Sequence, residues 1–538
     1  MQLLRADNIS FRYDTQPDML FEKVSVSVYE HDRIGLIGKN GCGKSTLIDI
    51  LRKKLSPVEG SVYHKTDLSI GYLPQELDLP TKKSGVSFLW ESNPILAELK
   101  QKIDQLEDFE PEQVSTMLSQ YEKNRGYDFE IAIEKITTRF GFDSKMLLRK
   151  ISSLSGGEQT RLALCRILLG EPDILMLDEP TNHLDIEALQ WLENFLNEIK
   201  IPYIIISHDR HILDSCVNVI LELSPKGVRN YSGNYSFYKQ EKEQELYRKI
   251  HIYEEQKKKI KKLKTAARKR TQWAHSHQAE TGSEGYAPVY ECVSNLAKNA
   301  MVQAKNLQRR VERKIEEAEA GKPFIEKKRT FHFETELIKS RQVLEVEHLT
   351  KTFGSKDVLS NIDLHVMNGE RVAIMGKNGS GKSTLLKIVT GHLDSYEGRF
   401  SWSPQAKIGY YSQDYENVNF DNSVLDEVTG GDMQKQSFAR TVLGCLNISE
   451  KLILNPIRTL SIGERSKIAL AKIIVSSANV LVLDEPTNHL EIEASEALEE
   501  ALQSFNGTIL FATHDRYLIE KMADRVIDMD QIRKEYAV

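Results

Sequence analysis

Two lysines, Lys44 and Lys382, stand 338 residues apart in runs of one pattern: GKNGCGKS from Gly38 to Ser45, and GKNGSGKS from Gly376 to Ser383. A turn of the form GxxxxGK[ST] lets backbone N–H groups close around phosphate oxygens, and the helix N-terminus that follows adds partial positive charge. Gly38, Asn40, Gly41 and Gly43, with Gly376, Asn378, Gly379 and Gly381, form the two cradles. Lys44 and Lys382 reach the β and γ phosphates, Ser45 and Ser383 ligate Mg2+, and Thr46 and Thr384 continue into the helices. A purely structural turn is the competing reading, and recurrence in the same strand-to-helix context argues against it.

Further downstream, ILMLDEP and VLVLDEP are apolar runs that end in paired acids. A buried strand delivering carboxylates at its C-terminal end places one beside Mg2+, here Asp178 or Asp484, and one beside an attacking water, here Glu179 or Glu485. Taken alone these acids would serve as helix caps. Twenty-nine residues past each glutamate come His208 and His514, at the ends of YIIISHDRHIL and TILFATHDRYLI. A lone histidine more often packs than reacts, but the repeated register favours contact with the γ phosphate and the polarised water. LSGGE and LSIGE precede the acid-bearing strands. There Ser155, Gly156, Gly157 and Glu158, and Ser461, Gly463 and Glu464, would offer a helix N-terminus to phosphate, with an ordinary N-cap as the alternative.

These groups need elements to hold them. RIGLI leads into the first glycine run and TLIDILRKK leaves it, a strand and a helix, and the whole order repeats in the second half of the chain. The reading is α/β: two P-loop ATPase domains in tandem, 1–238 and 340–538, joined by a helical hairpin over 239–330. With 538 residues and 40% hydrophobic content, two domains and an extra segment are expected. No apolar run reaches the ~18 residues of a membrane helix, and MQLLRADNIS lacks a signal-peptide pattern, so a soluble cytoplasmic protein is expected. Cys42, Cys165, Cys216, Cys292 and Cys445 form no CxxC pair, which argues against a zinc site or a disulfide framework.

The net charge of −6 conceals an asymmetry, because Lys239 to Arg329 holds 23 Lys or Arg against 13 Asp or Glu. KKKIKKLKTAARKR alone packs nine positive charges into 14 residues. It is a solvated helix face or a phosphate-binding one, and its density favours the second. Leu246, Ile250, Tyr253, Ile260 and Leu263 form one apolar stripe, and Leu296, Ala300, Ala304, Leu307, Val311 and Ile315 form another, so two antiparallel helices are expected. The first would run from Tyr235 to Arg270, and an irregular tip would fill 271–293. Lys257, Lys258, Lys261, Lys262, Arg268 and Arg270 suit RNA phosphates, and Trp273, in a tip that also holds His275, His277, Tyr286 and Tyr290, suits stacking on a base. In the first domain the interval from Gln75 to Ser155 exceeds its counterpart from Gln413 to Ser461 by 32 residues. Residues 93–124 are read as a helical arm that accounts for this excess.

This motif set resembles the ATP-binding cassette superfamily over nearly the whole chain. The resemblance implies head-to-tail pairing within one monomer, in which each phosphate loop meets the signature of the opposite cassette. Ser461 and Gly463 would then complete the site of Lys44, and Ser155, Gly156 and Gly157 that of Lys382. It also implies that Gln75 and Gln413 act as Mg2+ and water ligands and that Tyr13 and Phe353 stack on adenine. Two positions depart from the family pattern: Ile462 replaces a signature glycine, and Glu491 stands where Asp185 stands in the first cassette. Tandem cassettes without membrane spans, a long linker and YSGNYSFYKQEKE entering it resemble the ABC-F family of soluble ATPases. That resemblance implies a ribosome partner, with the linker entering the tRNA exit site and reaching large-subunit rRNA and P-site tRNA. The long tip resembles the antibiotic-resistance members of the family, implying protection against lincosamides, pleuromutilins or streptogramin A. A general factor for stalled ribosomes, a transporter ATPase and a DNA-associated ATPase are the other readings.

Overall fold

The computed structural model describes residues 1–14, 17–104, 111–182, 184–279, 299, 302–303, 305–307, 309–313, 315, 338–354, 356–412, 418–446, 448–488 and 490–535. The chain divides into two units: Met1–Tyr235 together with Arg329–Val538, and Ser236–Lys328.

In the first cassette, hydrophobic runs become parallel strands because both faces of the sheet are covered. Every residue of Ile174–Asp178 and of Tyr203–Ile206 is buried. The six-stranded sheet runs in the order Ile70–Leu73, Ile174–Asp178, Tyr203–Ile206, Arg33–Ile37, Val219–Ser224 and Gly227–Tyr231, with only the last pair antiparallel. An antiparallel sheet of Phe21–Tyr29, Gln2–Phe11 and Glu59–His64 packs on it through a core that includes Leu4, Ile9, Leu36, Leu47, Met176 and Ile204. This core fixes the strand ends on which the acids and the phosphate loop sit, each fully buried Leu or Ile contributing about 1.5–3 kcal/mol.

The second cassette repeats the plan with five strands, Ile408–Tyr411, Val480–Asp484, Thr508–Ala512, Arg371–Met375 and Arg525–Asp528. Where the first has its antiparallel edge strand, the helix Met529–Glu535 follows instead, with Met529 in the core. The helices Pro94–Ile103 and Pro111–Lys123 lie in the segment read as an arm, the first started by Asn93, whose side chain accepts from Leu96 N–H.

In the second unit, the helix Tyr235–Ala279 has 45 residues, about 68 Å at 1.5 Å per residue. It continues nine residues past Arg270, so the irregular tip does not begin at 271. TQWAHSHQA contains no glycine or proline, and the first breaker is Gly282. Of its apolar stripe, Leu246 is exposed and Ile250, Tyr253, Ile260 and Leu263 are half-buried; Ala267, which lies outside that stripe, is buried. Val311 is buried, with Leu307 and Ile315 half-buried. Leu296, Ala300, Ala304, the tip beyond Ala279 and Cys292 lie outside the described residues.

Candidate functional site

The two phosphate loops follow the strands Arg33–Ile37 and Arg371–Met375 and end at helices beginning with Lys44 and Lys382. Glycine is required where the loop turns into the helix. Gly43 and Gly381 have φ of +97° and +102°, and an added Cβ would lie 2.7 Å from Leu20 and 2.6 Å from Leu359. Both lysines curl back on their own loops: Lys44 Nζ donates to Gly38 O at 2.9 Å, and Lys382 Nζ to Gly376 O at 2.8 Å.

Asp178 and Asp484 end buried strands beside the loop serines. Ser383 Oγ donates to Asp484 Oδ1 at 3.0 Å. In the first cassette burial raises the Asp178 pKa, against the hydrogen bond from Ser45 and the charge of Lys44. The next residues, Glu179 and Glu485, each adopt φ 49°, a left-handed backbone rare for a side chain of this size. The chain bends there: Glu179 N–H donates to Ile206 O, and its carbonyl accepts from Asn182 N–H at 3.2 Å. The bend sets the Glu179 carboxyl 3.2 Å from His208 Nε2, and that of Glu485 3.5 Å from His514 Nε2.

Burial decides the electrostatics. It pushes Glu179 up to about 7 and Glu485 up to about 8, and it lowers His208 to about 3 and His514 to about 4. Both imidazoles are therefore neutral near pH 7. One buried oxygen of Asp178, one of Glu179 and the Nδ1 atoms of His208 and His514 have no hydrogen-bond partner among the described residues. Unpartnered buried polar atoms gathered at a phosphate loop fit a ligand that supplies partners. Among the described residues no group of three His, Cys, Asp or Glu stands together as a metal site. Ser45, Gln75 and Asp178 fit an ion that shares ligands with a triphosphate.

A cavity of about 1280 Å³ joins these groups across the cassettes. From the first it takes Tyr13, Asn40, Gly41, Gly43, Lys44, Ser45, Thr46, Gln75, Asp178, Glu179 and His208, and beside them stand Ser461, Gly463 and Glu464 of the second. Asn378, Gly379, Gly381, Lys382, Ser383, Thr384, Glu485 and His514 line the same space. Ser155, Gly156, Gly157, Glu158 and Phe353 are not among its lining residues. Gln413 lies outside the described residues. Ser155 and Ser461 are true N-caps, each in a reciprocal capping box with Glu158 or Glu464, so the structural reading of these serines holds whatever else they do. Tyr13 and Phe353 are 42% and 48% exposed, which removes the core reading for both, and Tyr13 hydrogen-bonds Thr46 at 2.8 Å.

Several contacts that sequence reading missed connect the cassettes. Asn40 N–H donates to Glu491 at 2.9 Å, and Asn378 N–H to Asp185 at 3.4 Å, so each phosphate loop is touched by the loop after the opposite acid strand. Arg210 and Arg516, which follow the two histidines, bind Glu499 and Glu193 of the opposite cassette. The triplet His-Asp-Arg repeats 306 residues apart, and that repetition was the available signal.

The ABC transporter family model matches residues 21–182 and 359–488. The putative ATP-binding protein YdiF of Bacillus subtilis (strain 168) is 33% identical over 98% of this chain and 80% of its own length. The ribosome protection protein VmlR of the same strain is 31% identical over 99% of this chain and 88% of its own. Such matches include the segment between the cassettes as well as the cassettes themselves. The chain belongs to the ABC-F family. As an ABC-F protein it is an ATPase with two cassettes that use ATP and Mg2+. Among solved structures, the archaeal ribosome recycling factor aABCE1, in complex with the archaeal ribosomal stalk protein aP1, superposes with a TM-score of 0.61 at 20% identity. That superposition covers 97% of this ABC-F chain and 87% of the other, and shows the shared twin-cassette fold. No helix among the described residues is long and apolar enough to cross a membrane.

Proposed function

We propose that this ABC-F protein binds ribosomes in its ATP-bound state, places its linker near the P-site tRNA and peptidyl-transferase centre, and leaves after hydrolysis. The observation that carries the reading is the helix Tyr235–Ala279, on which Lys257, Lys258, Lys261, Lys262 and Arg268 are all exposed. The side chains of Arg270 and Trp273 lie outside the described residues. A helix of this length and charge suits a phosphate backbone, and a transporter ATPase leaves it unexplained. The relative VmlR, named a ribosome protection protein, supports a protective role on the ribosome, which in this reading is directed against lincosamides, pleuromutilins or streptogramin A.

In this reading Lys44 and Lys382 neutralise phosphate charge, and Ser45 with Asp178, and Ser383 with Asp484, would hold Mg2+, which when bound would supply positive charge to the phosphates. Glu179 and Glu485 orient the attacking water, and neutral His208 and His514 fix those carboxylates and contact the γ phosphate. Tyr13 and Phe353 stack on adenine.

The test is co-sedimentation with ribosomes in ATP, with duplex DNA as the competitor. Changing Lys257, Lys258, Lys261, Lys262, Arg268 and Arg270 to Gln is expected to weaken ribosome binding. The slope of log affinity against log salt should flatten by roughly 0.7 per lost phosphate contact, with ATP affinity kept. An unchanged slope assigns the run to solvent, and preference for DNA overturns the reading. Raised tolerance to one of the three drug classes on expression supports the protective role; a change in elongation alone supports a general translation factor.

A further inference from the structure

The two His-Asp-Arg turns do more than carry the histidines. Arg210 is 5% exposed and lays its guanidinium among three acids of the second cassette. Nη2 hydrogen-bonds Glu499 and lies 3.6 Å from Asp515 Oδ2, while Nη1 lies 4.0 Å from Glu496. The Tyr517 ring is 4.8 Å from the guanidinium carbon. Glu499 is itself 1% exposed and also accepts from Lys521 at 3.1 Å. Arg516 makes the reciprocal crossing to Glu193 at 2.8 Å, with His211 at 3.5 Å, but its Nε and Nη2 have no partner among the described residues. Arg210 and Arg516, like Glu193 and Glu499, are 306 residues apart, so one contact is made twice and made unequally.

A buried guanidinium fixed by several acids acts as a strut, because removing it leaves buried charge uncompensated. The ends of this strut are the catalytic turns themselves. Asp209 caps the helix Arg210–Ser215 and follows His208; Asp515 caps the helix Arg516–Met522 and follows His514. Among the described residues, Arg210–Asp515 is the ion pair that links one turn directly to the other. The connection thus runs from Glu179 through His208 and Arg210 to Asp515, His514 and Glu485.

We propose that Arg210 is a positioning residue that couples the two ATP sites: by binding Asp515 and Glu499 it holds the turn carrying His514, so the second site depends on the first cassette. The coupling is directional, because Arg516 offers the first site no matching contact with Asp209 among the described ion pairs.

The test uses the full chain with one site silenced. In an E179Q background turnover reports the second site, and adding R210Q is expected to lower kcat at least about fivefold with KM for ATP within about twofold. R210K should recover part of the loss, and R516Q in an E485Q background should lower first-site kcat by less than about twofold. Thermal unfolding midpoints with saturating ATP separate this from a loss of folding. A second-site kcat unchanged by R210Q, or an R210Q loss confined to the first site in the E485Q background, overturns the proposal. Should R210Q fail to fold, R210K decides: a lower second-site kcat at an unchanged midpoint supports the coupling, and an unchanged kcat refutes it.

Discussion

The two cassettes carry the same motifs in the same order yet differ where they meet. Asp185 caps its own helix by accepting from Ala188 N–H and also touches Asn378, whereas Glu491, one methylene longer, caps nothing and reaches Asn40 at 2.9 Å. Arg210 is buried among three acids; Arg516 has one acid and a histidine. Ser461 and Gly463 stand on the shared cavity, and Ser155 and Gly156 do not. Duplicated motifs therefore give two sites with the same residue types, while the contacts between the cassettes differ from one to the other.

The largest expected difference concerns charge in the nucleotide-free protein. Glu179 and Glu485 are raised from an ordinary 4.5 to about 7 and about 8 by burial. Raised carboxyl pKa values mean stability is full below about 4.5 and is lost as pH rises through 7 and 8. Up to about pH 6.5 this loss is offset by His208 and His514, whose lowered pKa values make the folded state gain stability as pH rises. Unfolding midpoints should therefore hold nearly level from about pH 5 to 6.5 and fall above it, by the equivalent of about 2–3 kcal/mol by pH 9. E179Q should remove the part of the slope ending near pH 7, and E485Q the part that extends to about 8. Coincident effects of the two substitutions would erase this distinction between the sites.

A smaller effect separates the two loop acids. D185A removes a helix cap and should cost about 1 kcal/mol, read as a lower midpoint, while E491A should cost less because it caps no helix. Equal costs would show that the contacts to Asn40 and Asn378 outweigh the cap.

Much of this was legible in sequence because local chemistry is strict. A phosphate loop needs glycine where φ is +97° or +102°, and an apolar run ending in Asp-Glu is a buried strand with a site at its end. The left-handed turn at Glu179 and Glu485 was not legible, since no residue preference announces φ > 0 at glutamate. Nor were the crossings of Arg210 and Arg516, which depend on how two domains face each other. The helix passes Arg270, where the sequence reading places its end: the following TQWAHSHQA turns from basic to aromatic and polar but holds no glycine or proline to break a helix.

Retention of the E179Q/E485Q double variant on ribosomes tests the central claim most directly. Phosphate and Mg2+ contacts survive the substitution while the water loses its carboxylates. The variant should bind ATP with near-normal affinity, co-sediment with ribosomes only when ATP is present, and stay bound through a chase that releases the wild type. Release at the wild-type rate, or retention without ATP, would contradict an ATP-closed, hydrolysis-released ribosome factor.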